Sequence, residues 1–181
     1  MEKSNLMIKY QYYPNGEVQY LTYVNDKGLI HREDGPAYFY YTEDGNLKFQ
    51  AYYINGKRHR TDGPAEISYY EGTNIINYQC WRKNDNQYRE DGPAYIEYYP
   101  DGTKSEEVYL KDWMYYNYAG PTIIRYNKNG KIRERIYHYR NMIISDIARK
   151  IIKDLKLPRN PDIWDQHQKD MFQFHLISEV K

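Results

Sequence analysis

The sequence predicts a mainly β fold: an elongated, single-layer antiparallel meander of tandem repeats, closed by a short C-terminal helical cap. Three observations carry this prediction. A seven-residue phrase recurs at a nearly constant interval, a second series of glycine turns runs out of phase with it, and the strands between them alternate with a period of two.

The phrase reads "HREDGPA" at 31–37, "HRTDGPA" at 59–65, "YREDGPA" at 88–94 and, in a worn copy, "YNYAGPT" at 116–122. Its glycines, Gly35, Gly63, Gly92 and Gly120, stand 28, 29 and 28 residues apart. The second series, Gly16, Gly45, Gly72, Gly102 and Gly130, sits in "PNGE", "EDGN", "EGTN", "PDGT" and "KNGK". Asn-Gly and Asp-Gly between apolar runs signal hairpins, because both residues tolerate positive φ. Each period therefore holds two turns and two strands.

After each phrase the columns read Ala37, Ala65, Ala94, Thr122, then Phe39, Ile67, Ile96, Ile124, then Tyr41, Tyr69, Tyr98, Tyr126. Ile8, Tyr10 and Tyr12 fit the same columns without a preceding phrase. The intervening positions are mixed: Tyr38, Glu66, Tyr95, Ile123 and Tyr40, Ser68, Glu97, Arg125. One covered and one wet face follow from that pattern. The returning strands, 47–54 and 76–82, alternate less strictly. About ten strands at ~4.8 Å spacing make a sheet on the order of 45 Å long, each repeat touching mainly its neighbours. The chain has 24 tyrosines against four phenylalanines, which suits a pleated surface where a ring packs and its hydroxyl stays wet.

The paired motifs "YYPDGT" and "YYINGKRHRTDGPA" resemble the MORN-variant repeats of bacterial and giant-virus proteins. The resemblance covers about 8–141. It implies an elongated β-sheet interaction module, and a viral or bacterial factor that engages a host or cognate protein. Three copies depart from it. The first has a longer turn, "NDKGLIH", the third has "EGTN" and "KNDNQ", and the fourth carries Ala119 in the Asp position.

The phrase itself admits two readings. His31 with Asp34, and His59 with Asp62, have the chemistry of metal ligands or acid–base pairs. The structural reading makes Asp34-Gly35-Pro36, Asp62-Gly63-Pro64 and Asp91-Gly92-Pro93 tight turns: Asp accepts local N–H bonds, Gly supplies positive φ and Pro starts the next strand. Arg then bridges to an acid of a neighbouring copy. A catalytic site is used once, whereas this phrase recurs in every period and loses its His at Tyr88, so the structural reading prevails. Cys80 has no nearby His in sequence, His138 sits in the last strand, and His167 and His175 are not at zinc spacing. No catalytic residues, metal ligands or cofactor are expected, and the chain is read as non-enzymatic.

A net charge of +1 over 181 residues gives no strong pull toward nucleic acid or an acidic membrane. An Arg32, Arg60, Arg89 ladder with interleaved Tyr keeps single-stranded nucleic acid as the runner-up ligand, with membrane-surface binding beside it. One cysteine excludes an internal disulfide. With no apolar run long enough for a signal peptide, a soluble, cytoplasmic protein is expected, in the host cytoplasm if viral.

Domain boundaries fall at 1–141 for the repeats and 142–181 for the tail. Ser145 or Asp146 caps a first helix, with Ile144, Ile147, Ala148, Ile151, Ile152 and Leu155 on one stripe, ended by Pro158. Asn160-Pro161 starts a second helix. The last ten or so residues read equally as helix or strand. The tail either covers the sheet or docks onto another protein, and self-association through a sheet edge or the tail stays open. The aromatics expected to be exposed for partner contact are Tyr38, Tyr40, Trp81, Tyr95, Trp113 and Trp164.

Overall fold

The structure, a computed structural model, describes residues 6–118, 120–139, 141–159 and 161–180. Ala119 in the fourth phrase and Asn160 before the second helix, both singled out above, lie outside them. Ten strands form one open antiparallel sheet in chain order: β1 (Met7–Tyr12), β2 (Val18–Val24), β3 (Tyr38–Tyr41), β4 (Leu47–Ala51), β5 (Glu66–Tyr69), β6 (Ile76–Cys80), β7 (Tyr95–Tyr98), β8 (Lys104–Val108), β9 (Ile123–Tyr126) and β10 (Ile132–Ile136). The tail folds as α1 (Ser145–Asp154), a 3-10 turn (Pro161–Ile163) and α2 (Gln166–Glu179).

Along one margin, odd strands turn into even ones through the second glycine series. Gly16, Gly45, Gly102 and Gly130 have φ between +75° and +88°. Their N–H groups donate to the carbonyls of Tyr13, Thr42, Tyr99 and Asn127 at 2.9–3.0 Å. The third turn is one residue longer, with Thr73 donating to Tyr70. Every one of the five hairpins carries a register shift before its turn, at Tyr12, Tyr41, Tyr69, Tyr98 and Tyr126. The turning tyrosines tie copies together: the hydroxyls of Tyr13, Tyr70 and Tyr99 donate to the carbonyls of Tyr41, Tyr98 and Tyr126 at 2.6–2.9 Å.

Along the other margin the expected strands 47–54 and 76–82 do not run through. They break at Tyr52 and Trp81, and four two-residue hairpins follow β4, β6, β8 and β10. The first pairs Tyr53–Ile54 with Lys57–Arg58 and the second Arg82–Lys83 with Asn86–Gln87. The third pairs Leu110–Lys111 with Met114–Tyr115 and the fourth His138–Tyr139 with Met142–Ile143. Their turns use left-handed pairs such as Asn84 (φ 53°) and Asp85 (φ 70°), the mirror-image geometry that matches strand twist. Each hairpin touches the next: Arg58 N donates to Asp85 Oδ1 at 3.0 Å, Trp113 Nε1 to Asn86 Oδ1 at 2.9 Å, and Tyr115 N to Asn141 Oδ1 at 3.0 Å. Each period therefore contains a second, minor hairpin.

The recurrent phrase links each minor margin back to the next strand, as a turn built around its own arginine. Arg32 Nε donates to Asp34 Oδ1 at 2.7 Å and Arg60 Nε to Asp62 Oδ1 at 2.8 Å. The same guanidiniums reach the carbonyls of Pro36 and Pro64, and Arg89 reaches that of Pro93. Each lies over a ring at the preceding strand's end: Arg32 over Tyr23 at 4.3 Å, Arg60 over Tyr52 at 4.0 Å, Arg89 over Trp81 at 4.1 Å. The acid thus pairs within its own copy, two residues along, and not with a neighbour's. Positive φ is not what the phrase asks of Gly35, Gly63 or Gly120 either. A Cβ at Gly63 would stand 2.9 Å from Arg60 Cζ, and one at Gly35 3.2 Å from Arg32 Cζ. The glycine is there because the guanidinium passes over it.

The sheet buries both faces in part, not one alone. Ile67, Ile96 and Ile124 are buried on the face the columns predicted. On the other, a ladder of rings runs Tyr40, Tyr20, Tyr38, Phe49, Tyr78, Tyr95 with centroids 5.1–6.4 Å apart. Glu66 lies on this second face at 5% exposure. Arg58 Nε and Arg82 Nε hold it at 2.7 and 2.8 Å, both brought in by minor hairpins. Alanines 37, 51, 65 and 94 are fully buried where strands meet the phrase, leaving no room for larger side chains.

Two tail expectations are corrected. Ser145 is not a helix cap: Ile144 holds that position, and the Ser145 hydroxyl accepts from Tyr137 N at 3.1 Å. The second helix starts at Asp165, whose carboxylate accepts from Gln168 N at 2.8 Å in a full capping box. The final residues are helix through Glu179, which resolves the strand alternative.

Two outcomes test these contacts. Gly63→Ala is expected to destabilise by about 1–2 kcal/mol in urea unfolding by displacing a packed side chain. In an Arg60→Ala background the same change should be nearly neutral; a full cost there would show that the guanidinium is not what needs the space. Glu97 faces Glu106 across β7 and β8, and burial together with that charge raises its carboxyl pKa. A raised folded pKa favours the native state below the unfolded value and lowers stability as pH rises through it. Glu97→Gln should therefore stabilise at neutral pH by roughly 0.2–1 kcal/mol. The gain should vanish in acid, and a gain independent of pH would contradict the pairing.

Candidate functional site

Tyr38, Tyr40 and Tyr95 sit in the ring ladder, half-buried and packed on their neighbours. Burial pushes the Tyr38 hydroxyl up to about 12 and raises that of Tyr95. Trp81 is half-buried beneath Arg89. None of these four is the exposed ring that the mixed columns suggested, because a one-layer sheet uses its own aromatics as cover. Trp164 is only 3% exposed, with Nε1 donating to the Pro158 carbonyl at 2.7 Å. It packs on Phe172 inside a tail core of Tyr137, Ile144, Ala148, Ile151, Leu157 and Leu176. The tail is a cap, and Trp164 faces inward.

Trp113 alone of the six stands out, at 56% exposure. It occupies a left-handed position (φ 65°) at the tip of the third minor hairpin. Asn86 holds its indole N–H, and Arg82 lies over its ring at 5.3 Å. Other exposed apolar residues stand on the same hairpin, in the last phrase and on the fourth minor hairpin: Met114 (54%), Tyr116 (51%), Tyr118 (45%) and Met142 (56%). Met114, Tyr116 and Tyr118 line a cleft of about 500 Å³ together with Tyr115, His138 and Leu176. Its walls are the third and fourth minor hairpins and α2.

The cleft is held in shape from several sides. Tyr115 and His138 stack with centroids 4.0 Å apart. His138 Nδ1 lies 2.7 Å from Thr122 Oγ1, and burial lowers the imidazole pKa, keeping the ring neutral at physiological pH. Tyr118 donates to Asp170 of α2 at 2.9 Å, which joins the last phrase to the tail. Asn117 stands where the other copies have Arg and donates to the Pro121 carbonyl at 2.8 Å. The worn phrase thus keeps the bond to the proline carbonyl through Asn117, while Tyr116 in the His position and Tyr118 in the Glu position line the cleft. That exchange, visible in "YNYAGPT", was the available signal for Tyr116 and Tyr118; Met114 carried none.

The remaining candidates each have local contacts. His31 is 6% exposed, and its Nδ1 accepts from Asn55 N at 3.1 Å. His59 Nδ1 contacts Asn84 Oδ1 at 2.9 Å. Hydrogen bonds from Arg32 and Arg60 hold the Asp34 and Asp62 carboxyls below the usual carboxylate range. Cys80 is 1% exposed and burial pushes its thiol up to about 11, away from the thiolate a nucleophile needs. Among the described residues no cluster of three His, Cys, Asp or Glu is placed to hold a metal. No helix among them is long and apolar enough to cross a membrane. The chain matches no family model, no curated protein and no solved structure.

Trp164→Ala is expected to weaken the cap by about 3–5 kcal/mol, as for other large-to-small core changes. Because repeats depend mainly on neighbours, helical ellipticity should melt well below the sheet signal; unchanged coincident transitions would place the ring outside the cap's core.

Proposed function

We propose that the chain is a non-enzymatic protein–protein interaction module, a scaffold of MORN-like repeats that presents the Trp113 cleft to another protein. The observation that carries this reading is a concave surface lined by the exposed side chains of Met114, Tyr116 and Tyr118, with exposed Trp113 next to Met114 at the tip of the same hairpin. Aromatic and Met-rich patches on rigid hairpins are the composition of interface hot spots. The resemblance to bacterial and giant-virus repeat proteins supports a factor that engages a host or cognate protein in the cytoplasm. Binding of single-stranded nucleic acid or a membrane surface through the Arg32, Arg60 and Arg89 ladder has less support. Those guanidiniums are already stacked on rings, and two are paired with acids.

The test is affinity capture from cell lysate with the wild-type chain, a Trp113→Ala/Met114→Ala variant and a Tyr10→Ala control on β1, each checked for folding by circular dichroism. A partner kept by the control and lost by the double variant supports the cleft. One kept by all three would put the contact elsewhere on the sheet, and nucleic acid recovered in place of protein would favour the ladder.

A further inference from the structure

β10 ends the sheet and has a strand neighbour, β9, on one side only. On its other side, between β10 and α1, lies a groove of about 580 Å³. Six cations line it: Arg133 and Arg135 from β10, Arg149 and Lys153 from α1, and Lys156 and Arg159 beyond the helix. The chain as a whole is nearly neutral, at +1, so this is a local concentration of charge. Glu134 also lines the groove and pairs with Arg125 at 2.9 Å, and Asp146 pairs with Arg149, so the positive charge offered to a ligand rests mainly on Arg133, Lys153, Lys156 and Arg159. The floor between the cations is apolar, made by Ile132, Ile152 and Leu157.

We propose that this groove binds an extended acidic segment of another protein, laid beside β10 as an eleventh strand. Charge decides the sign of the ligand, and the open strand edge decides its shape. An added strand shows alternate side chains to opposite faces, so acids at every second position face the cations while apolar residues between them meet the floor. Five residues of β10 at ~3.4 Å each offer roughly 17 Å of edge, enough for a short segment. Nucleic acid fits less well, because Tyr137, the one aromatic ring lining the groove, is 4% exposed and offers no face for a base. A second copy fits no better: its free strand, β1, reads "MIKYQY", with Lys9 as its single charge. The site is separate from the Trp113 cleft and does not rest on it.

The experiment is fluorescence anisotropy with the full chain and a short dye-labelled peptide of alternating Glu and Val. A second peptide of the same sequence is N-methylated at alternate backbone positions, and a single-stranded oligothymidylate provides the nucleic-acid arm. Binding of the first peptide is expected to weaken by about tenfold or more in Lys153→Glu/Arg159→Glu and again at high salt. Arg133→Glu, on the strand side of the groove, provides a second variant that leaves α1 untouched. N-methylation should abolish binding, and Trp113→Ala should leave it unchanged. Equal binding of the methylated peptide would overturn strand addition. Tighter binding of the oligonucleotide, or no peptide binding at low salt, would overturn the acidic segment as ligand.

Discussion

The first three phrases of the repeat depend on one contact, the arginine lying over the ring at the end of the preceding strand, and in the fourth Asn117 reaches the same proline carbonyl. Arg32 on Tyr23, Arg60 on Tyr52 and Arg89 on Trp81 close a loop of the same shape each time. A cation over an aromatic face contributes about 0.5–1 kcal/mol at a partly exposed site, a modest energy for one turn. Its weight is geometric. The guanidinium also reaches the proline carbonyl four residues along, which fixes where the chain turns back toward the sheet. The next alanine then enters at a buried position with no slack, and the strand after it is in register. The phrase that looked most like chemistry is the part that sets the spacing of the sheet.

The same register explains how the array stops. His31, His59, Tyr88 and Tyr116 donate their backbone N–H to the carbonyls of Tyr23, Tyr52, Trp81 and Tyr109. Ile144 makes the corresponding bond to Tyr137, so it opens a fifth phrase that is never completed. Where an arginine would follow stands Ser145, and α1 begins. Tyr52, Trp81 and Tyr109 give their N–H groups to the strand of the next copy, at Ala65, Ala94 and Thr122. Tyr137 has no next copy, and the Ser145 hydroxyl accepts its N–H instead. The cap therefore imitates the repeat for two residues before departing from it, which keeps the Tyr137 N–H paired at the junction.

The sheet was legible in the sequence because its signals are periodic. Ten strands, the glycine turns and the Ile67, Ile96, Ile124 column all follow from spacing alone. The minor hairpins were not, since "YYING" and "WRKNDN" look like continuations of strands whose alternation merely falters; two-residue arms carry no pattern of their own. The ring ladder was misassigned as a wet face, because polarity at alternate positions does not reveal that rings on adjacent strands cover one another. Trp164 was misplaced for a related reason. A lone tryptophan in an amphipathic tail reads the same whether it anchors a partner or fills a core, and only the packing of Phe172 and Leu176 around it decides. The Trp113 cleft was partly visible: Trp113 itself, and the tyrosines that displaced charge from the fourth phrase.

Binding surfaces should accumulate where the period breaks, and the reason lies in how an interior copy satisfies itself. Within the array, Glu66 takes two arginines, Gln50 donates to the Tyr69 hydroxyl, Gln79 accepts from that of Tyr98, and Arg32 and Arg60 take their own acids. Each such side chain is consumed by a partner in its own copy or on a neighbouring strand or hairpin. At the C-terminal end no further copy follows. Met114 and Met142 sit on minor hairpins with no further full copy beyond them, and the cations of β10 and α1 face a groove where the next strand would lie. Replacing the next repeat with two helices completes the core without restoring those contacts. The cap thus leaves two surfaces of opposite character beside it, one apolar and one cationic, where the repeat gives way to helices.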